Sequence, residues 1–468
     1  MSRIYLSYDP EQRLLLPPDL REWLPEGHLA LFISDMVEEL DLSAIVGSYE
    51  SGDGRGRPPY HPVMMVKLLL YGYCIGKVSS RKLEQATHED VAFRVLACNQ
   101  HPDHDSIAEF RKRHLQELAR LFVQVLKLCE RAGLVKLGHV AIDGSKLRAN
   151  ASKHKAMSYE RMCEKERQLE AEVERLLKAA EEVDAAEDKR YGQGVRGDEL
   201  PAELARRESR LRKIREAKAS LEAEAKEQAK AAAAAVEAKL AERKQHEEET
   251  GKKTRGRAPQ GVNVEVAKPE AKAQRNFTDP ESRIMKDSAT GSFEQSYNAQ
   301  IAVDGQAQII VAATLTQAAN DKQQLVPVLA EVKINTGRTP EKVTADSGYF
   351  STAAVTNEAL NSVDLYVTPD RSKQTEEEPQ LPAAPPPFEL DQNVIARMRE
   401  KLKTEPGRAV YKQRKMIVEP VFGQVKEVRG FRRFSFRGLQ KNEAEWSLIC
   451  LTHNLLKLFR GKSCLQPA

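Results

Sequence analysis

Three acidic residues have the type and setting required for metal-assisted phosphoryl transfer. Asp143 follows the apolar run Val140-Ala-Ile, Asp346 follows Val343-Thr-Ala, and a glycine comes within two residues after each acid. Both acids are therefore expected where an apolar strand ends in a turn. Open α/β sheets place active groups at such strand ends. The third acid, Glu419, is expected on a helix packed against the sheet.

The chemistry follows from the charges. If the strands of Asp143 and Asp346 are neighbours, their carboxylates repel each other unless a cation neutralises them. Mg²⁺ prefers oxygen ligands, and two such ions about 4 Å apart can activate an attacking oxygen and stabilise a leaving one. We therefore expect Asp143, Asp346 and Glu419 to be both the catalytic residues and the ligands of two Mg²⁺ ions, with Mn²⁺ able to substitute.

The neighbours of Glu419 add to this hypothesis. Lys426 lies seven residues after Glu419, so on a regular helix it falls on the same face, where its ammonium can pair with a DNA phosphate. Pro420 is unusual within a helix. The segment is therefore expected either to kink at Pro420 or to begin a helix near Glu419.

A basic stretch interleaved with phenylalanines follows, between residues 429 and 437. Arginines supply phosphate contacts and aromatic rings can stack on bases. The alternative is an amphipathic turn whose phenylalanines belong to the core. The residues expected to contact DNA are Tyr411, Arg414, Lys426, Arg429, Arg432, Arg433 and Arg437.

The segments that must position these residues alternate between strand and helix patterns. Short strands are expected at 139–144, 343–346 and 363–368, and the dipeptide Asp304-Gly305 predicts a hairpin between strands 296–303 and 308–315. Asn298 and Gln300 on that hairpin either face the active site or, as is more usual for polar strand residues, face solvent. The order of segments predicts an α/β fold with a mixed sheet flanked by helices.

The domain prediction has three parts. Residues 1–135 read as a helical, DNA-binding domain, and residues 136–460 read as a catalytic domain interrupted by a helical insertion at 156–261. A Pro/Glu-rich segment at 376–387 is expected to be an exposed, mobile loop.

The insertion has the pattern of an antiparallel coiled-coil hairpin with a break at 191–197. Its function is open between a dimerisation arm, a clamp on DNA ends and a self-contained intramolecular coiled coil. In the second heptad seam, Lys218 fills a core position. The two seams comprise Leu169, Val173, Leu176, Ala180 and Val183, then Leu204, Leu211, Ile214, Leu221 and Ala225.

Composition limits the class of protein without identifying it. The chain has 468 residues and a formal net charge of +4, which alone does not indicate a nucleic-acid partner. Six scattered cysteines without a CxxC pair are typical of a reducing compartment. The N-terminus lacks the apolar region of a signal peptide, and no apolar run is long enough to span a bilayer. We expect a cytoplasmic protein with no membrane partner.

Taken together, the motifs resemble those of bacterial DDE-type insertion-sequence transposases. The segments at Asp143 and Asp346 resemble the first two motifs of that family. Tyr411, Arg414, Glu419 and Lys426 resemble its Tyr-x2-Arg-x3-Glu-x6-Lys signature, except that four residues separate Arg414 from Glu419. The likeness extends through residues 60–113 and 430–458.

The resemblance implies an RNase H-like core, Mg²⁺ as cofactor, and double-stranded DNA, both transposon ends and target, as substrate. It also implies a homo-oligomer assembled on DNA at the nucleoid. The expected reaction is cleavage at the transposon end followed by joining of the 3′-hydroxyl to target DNA. The alternatives are a nuclease of the same architecture without strand transfer, and a catalytically inactive DNA-binding or scaffold protein.

Overall fold

The structure, a computed structural model, describes residues 19–50, 58–191, 202–250, 259–261, 263–287, 291–369 and 389–465. The predicted loop at 376–387 and nearly all of the predicted break at 191–197 lie outside these ranges. The chain divides into two compact units. The first comprises residues 1–147 and 298–468, and the second comprises residues 148–297.

The described helices begin with a group that precedes the first strand. These are α1 (Leu29–Glu38), α2 (Ser43–Glu50), α3 (Pro62–Cys74), α4 (Ser80–Glu89), α5 (Val91–Leu96), α6 (His104–Arg113) and α7 (Leu115–Arg131). Later helices are α8 (Tyr159–Tyr191), α9 (Ala202–Thr250), α10 (Leu325–Thr336), α11 (Thr352–Val355), α12 (Glu389–Lys403), α13 (Glu405–Gly423) and α14 (Leu439–Leu465). The strands are β1 (His139–Arg148), β2 (Ala156–Ser158), β3 (Gln274–Asn276), β4 (Arg283–Lys286), β5 (Phe293–Asp304), β6 (Ile309–Thr316), β7 (Lys342–Ala345) and β8 (Asp364–Val367).

The sheet of the first unit is mixed and has the strand order β6-β5-β1-β7-β8. β5 and β6 pair antiparallel along residues 298–304, whereas β1, β7 and β8 are parallel neighbours. Helices follow the antiparallel hairpin and each later strand. This arrangement confirms the predicted α/β class and the RNase H-like core.

The β5–β6 hairpin turns at Asp304-Gly305, as the sequence predicts, but Asp304 does more than turn the chain. Its carboxylate is buried and accepts hydrogen bonds from Leu137 N at 2.6 Å and Gln306 N at 2.8 Å. Because Leu137 lies two residues before β1, the turn fixes the start of the strand that carries Asp143.

β1 is longer than the sequence predicts. The strand was expected to end at a turn at Asp143-Gly144, but it continues to Arg148 and places Asp143 in its middle. Gly144 does not adopt the positive φ that a tight hairpin turn demands. The strand-end position expected for Asp143 is therefore wrong, because an Asp-Gly pair with extended backbone continues a strand.

The C-terminal helix α14 supplies much of the core. Its residues Trp446, Leu448, Leu451 and Leu455 are fully buried, and the helix packs against α7 and β6. A helix that is apolar on most of its surface must be covered on several sides. α7 belongs to the N-terminal helical region, so this region and the C-terminal helix lie in the same compact unit.

The second unit contains the helical hairpin. Ion pairs run in opposite directions along its helices, from Glu166–Lys218 at 2.7 Å to Glu172–Arg207 at 2.9 Å, so α8 and α9 are antiparallel. The pair with Glu166 also explains why Lys218 is tolerated at a core position of the seam. Met162, Leu169, Leu211, Ile214, Ala217 and Leu221 form the buried cluster between the helices.

None of the described helices is both long enough and apolar enough to cross a membrane.

Candidate active site

Asp143 and Asp346 lie level with each other on neighbouring parallel strands. The register of β1 and β7 pairs Ala141 with Thr344, and continuing it by two residues sets Asp143 beside Asp346. Neighbouring strands are about 4.8 Å apart, so the two carboxylates lie close together, Asp143 in the middle of β1 and Asp346 just after β7. As predicted, Asp346 directly follows its strand, and it caps the next turn by accepting a bond from Gly348 N at 2.9 Å.

The glycine after each acid allows a third carboxylate to approach. A Cβ on Gly144 would collide with the side-chain amide of Gln300 and would lie 3.0 Å from Asp321 Oδ1. A Cβ on Gly348 would lie 3.3 Å from Asp321 Oδ2. Asp321 therefore sits between the two motifs, and it is not among the acids predicted from the sequence.

A buried amide network holds Asp321 in place. Asn298 Nδ2 and Gln300 Nε2 both donate to Asp321 Oδ1, each at 2.7 Å. The oxygen of the Gln300 side chain accepts from the Tyr349 hydroxyl. Trp446 Nε1 donates to the backbone carbonyl of Gln300 at 3.1 Å. Asn298 and Gln300 therefore face this site rather than solvent, and their presence on the predicted hairpin was the signal that pointed to it.

Arg414 lies between two of the predicted catalytic acids. Its Nη1 is 3.5 Å from Asp143 Oδ2, and its Nη2 is 4.0 Å from Glu419 Oε1. The Arg414 side chain is only 11% exposed, and Tyr411 shares a hydrogen bond with it. Residues 411–419 thus place Arg414 against Asp143 and Glu419 against Arg414, despite the extra residue between Arg414 and Glu419.

The electrostatics of the site reflect an excess of buried negative charge. Burial raises the pKa of Asp143 to about 7, and the charges of Asp346 and Asp321 add to the rise while Arg414 opposes it. Burial also raises the pKa of Asp346. The pKa of Tyr349 is raised well above its ordinary value by burial and by the same three carboxylates. A cation bound here would stabilise the ionised forms of these carboxylates.

The site fits a divalent cation by ligand type. Asp143, Asp346 and Asp321 offer the carboxylate oxygens that Mg²⁺ prefers. Among the residues that the structure describes, however, no three His, Cys, Asp or Glu side chains are grouped so that they could hold a metal ion. The positive charge between Asp143 and Glu419 comes from Arg414. Binding of a cation by Asp143 and Glu419 therefore requires these side chains to rearrange.

Glu419 projects from a helix that becomes irregular just after it. Its side chain is 54% exposed, and α13 continues through Pro420 to Gly423, so no helix begins near Glu419. A π-helical turn, Gln424–Val428, follows. Such turns redirect side chains and are frequent at functional sites.

Lys426 lies within that π-helical turn. Its ammonium donates to the Ser145 hydroxyl and, at 3.0 Å, to the Lys146 carbonyl. Lys426 therefore connects the end of the α13 segment to β1 just after Asp143. Its predicted phosphate contact remains a prediction.

The basic stretch after Lys426 divides into core and surface residues. Arg429 is only 5% exposed, and its guanidinium donates to Ile449 O at 3.2 Å and to Thr452 Oγ1 at 2.8 Å. Phe431 and Phe434 are also buried. The Arg429 guanidinium is committed to the Ile449 carbonyl and the Thr452 hydroxyl of α14, so the DNA contact expected for Arg429 would require this side chain to leave the core.

The other three arginines of the stretch, Arg432, Arg433 and Arg437, are exposed. Arg432 forms an ion pair with Glu427. These residues can reach a DNA backbone without unfolding any part of the chain.

Two family models match the chain. The family described as Transposase DDE domain matches residues 261–455, and the family described as Transposase domain (DUF772) matches residues 18–113. The chain belongs to the DDE transposases. Asp346 and Glu419 fall within the matched DDE span of this transposase, whereas Asp143 lies outside both spans. No curated protein and no solved structure matches it.

As a DDE transposase, the protein is a phosphoryl-transfer enzyme that binds DNA. Transposases of this type typically use a divalent metal. The matched span covers Asp321, the Asn298–Gln300 pair and the α13 segment, so the transposase domain includes most of the side chains gathered around Asp143.

Proposed function

We propose that this transposase cleaves DNA at transposon ends and joins the released 3′-hydroxyl to target DNA, with Asp143, Asp346 and Glu419 as its catalytic carboxylates. The observation that carries the proposal is the position of Asp143 beside Asp346 on adjacent strands, with Glu419 reaching the same place through Arg414. We expect two Mg²⁺ ions, or Mn²⁺ in their place, and a homo-oligomer assembled on double-stranded DNA.

The residues divide the work. Asp143 and Asp346 would hold the metal ions, which when bound supply a Lewis acid for the attacking and leaving oxygens. Glu419, being more exposed, would complete the ligand set and would accept a proton from the attacking hydroxyl. Arg414 keeps the carboxylate of Asp143 oriented and, once displaced from it, presents a guanidinium to a DNA phosphate.

DNA contact is assigned to exposed or half-buried side chains around the same site. Tyr411, Arg414 and Lys426 lie next to the carboxylates, and Arg432, Arg433 and Arg437 extend the basic surface beyond them. Phosphate contacts by lysine and arginine position the duplex without reading its sequence. The helical region that matches the second transposase family is proposed to contribute further DNA contacts.

The test uses a supercoiled plasmid that carries the DNA flanking the gene on both sides of a marker. Asp143→Asn, Asp346→Asn and Glu419→Gln should each lower the Mg²⁺-dependent cleavage rate by about 100-fold or more, as expected when a transition-state contact is removed. Glu400→Gln on α12 is the matched control, because Glu400 is 74% exposed and pairs with Lys403 in its own helix.

Two results would contradict parts of the proposal. Full cleavage by Asp143→Asn or Asp346→Asn would remove these residues from the mechanism. Cleavage by the wild type without any product joined to a second, target plasmid would show a nuclease that does not carry out strand transfer.

A further inference from the structure

The helix that carries Glu419 lacks one of its backbone hydrogen bonds. Pro420 has no N–H, so the carbonyl four residues earlier, that of Met416, has no partner within the helix. Nevertheless, α13 continues without interruption from Glu405 to Gly423. The residue before the proline is Glu419 itself, so the weak point of the helix coincides with the proposed catalytic acid.

A side chain from the turn between β5 and β6 supplies the missing hydrogen-bond donor. Gln308 Nε2 donates to Met416 O at 2.7 Å. Gln308 lies in the turn between β5 and β6 and has a φ of 58°, a conformation that residues other than glycine adopt infrequently. The turn thus holds this one side chain against α13 at the position where the proline leaves a carbonyl unpaired.

Gln308 is in turn held by α14. Its Oε1 accepts from Lys457 Nζ at 2.6 Å, and its backbone carbonyl bonds to His453 Nε2 at 3.0 Å. The other ring nitrogen of His453 bonds to Gln424 Oε1 at 3.0 Å, just after the helix ends. Both sides of Pro420 are therefore connected to His453, the Met416 side through Gln308 and the other side through Gln424.

We propose that Gln308 is a positioning residue for Glu419. By supplying the donor that Pro420 removes, it fixes the turn of α13 that carries Glu419 relative to the β5–β6 hairpin. Since β5 neighbours β1 in the sheet, Glu419 is thereby fixed relative to Asp143. This inference rests on the proposed function, because it assumes that Glu419 is catalytic.

The bond acts on orientation more than on stability. The hydrogen bond between Gln308 and Met416 lies near the surface, where water can satisfy an unpaired carbonyl. Loss of the bond should therefore leave thermal unfolding almost unchanged while altering the geometry at Glu419. A role in stability alone predicts the opposite combination.

The decisive variant is Gln308→Glu. It keeps an oxygen acceptor for Lys457 but removes the N–H donor to Met416. We expect a cleavage rate lowered about tenfold at subsaturating Mg²⁺, a higher Mg²⁺ concentration for half-maximal rate, and faster amide exchange across residues 416–424 in the metal-free protein. Gln306→Glu is the matched control, since it adds the same charge to the same turn at an exposed position.

Rescue tests the pathway of the effect. Pro420→Ala restores an N–H that can bond to Met416 O within the helix, so the double variant Gln308→Glu/Pro420→Ala should regain both the cleavage rate and the slow amide exchange. Pro420→Ala alone should cleave at nearly the wild-type rate.

Two outcomes would overturn the inference: Gln308→Glu behaving like Gln306→Glu, or a defect that Pro420→Ala does not reverse. Failure of the proposed function looks different, because Glu419→Gln would then cleave normally.

Discussion

At the scale of single residues, the site is a balance between buried carboxylates and one guanidinium. Arg414 lies against Asp143 and close to Glu419, while Asp346 and Asp321 raise the pKa of Asp143 beyond the effect of burial. When no metal is bound, burial and the repulsion between the carboxylates therefore make the ionised form of Asp143 unfavourable. Active sites commonly trade stability for function in this way.

This unfavourable ionisation predicts that Asp143→Asn is more stable than the wild type in the absence of divalent metal. Because the folded-state pKa of Asp143 is raised to about 7, the stability contributed by its protonated form is lost as pH rises from the ordinary range of aspartate through 7. Asparagine stays neutral, so its advantage should grow by up to about 3 kcal/mol between pH 5 and pH 8.

Urea unfolding in EDTA at both pH values measures this difference. Asp35→Asn serves as the control, because Asp35 is 63% exposed and exposed ion pairs contribute little. An advantage of Asp143→Asn that is equal at pH 5 and pH 8 would contradict the prediction.

At the scale of elements, irregular segments place the functional groups. The π-helical turn after α13 contains Lys426, which donates hydrogen bonds to β1. Gln308 of the β5–β6 turn donates to the carbonyl of Met416, which Pro420 leaves without a partner in α13. The helical hairpin is regular by comparison, because α8 and α9 bury a continuous apolar cluster against each other. That packing occurs within one chain, and a role for the hairpin in dimerisation or in clamping DNA remains a prediction.

Within the hairpin, Ile214→Ala should weaken the packing of α8 on α9. Ile214 is 1% exposed, and truncating such a side chain to alanine typically costs about 2–4 kcal/mol. Amide hydrogen exchange measures the effect, which should be confined to the second unit. Lys213→Ala, at the exposed neighbouring position, should change exchange little, and equal effects of the two variants would argue against the buried seam.

At the scale of the whole molecule, the small net charge of +4 means that DNA binding depends on where the cations lie and not on their number. The basic stretch illustrates this, since the side chain of Arg429 is buried in the core while Arg432, Arg433 and Arg437 lie at the surface. Binding that rests on phosphate contacts weakens steeply as salt rises.

Salt dependence therefore separates surface from core arginines. Arg433→Gln should reduce the slope of log K against log salt for binding to duplex DNA by about 1. Arg429→Gln should leave the slope unchanged but lower the free energy of unfolding by about 1–3 kcal/mol, because buried partners lose their hydrogen bonds. Equal slopes for wild type and Arg433→Gln would remove Arg433 from the DNA contacts.

The sequence by itself determined the local elements and the acids they carry. The predictions rest on alternating apolar residues, on the Asp304-Gly305 turn and on the apolar runs before Asp143 and Asp346. Each of these patterns involves neighbours a few positions away, so it can be recognised without a structure. The same local rules misplaced the end of β1, because an Asp-Gly pair allows either a turn or an extended strand.

Only the tertiary structure decided which side chains meet. Arg414 lies 271 residues from Asp143 along the chain, and neither the approach of Asp321 nor the support of Met416 by Gln308 leaves a local pattern. Arg429 and Arg433 lie four residues apart in the same stretch of arginines and phenylalanines, yet one is buried and the other exposed. Burial and pairing depend on contacts between distant segments, and these form only when the sheet and its helices pack together.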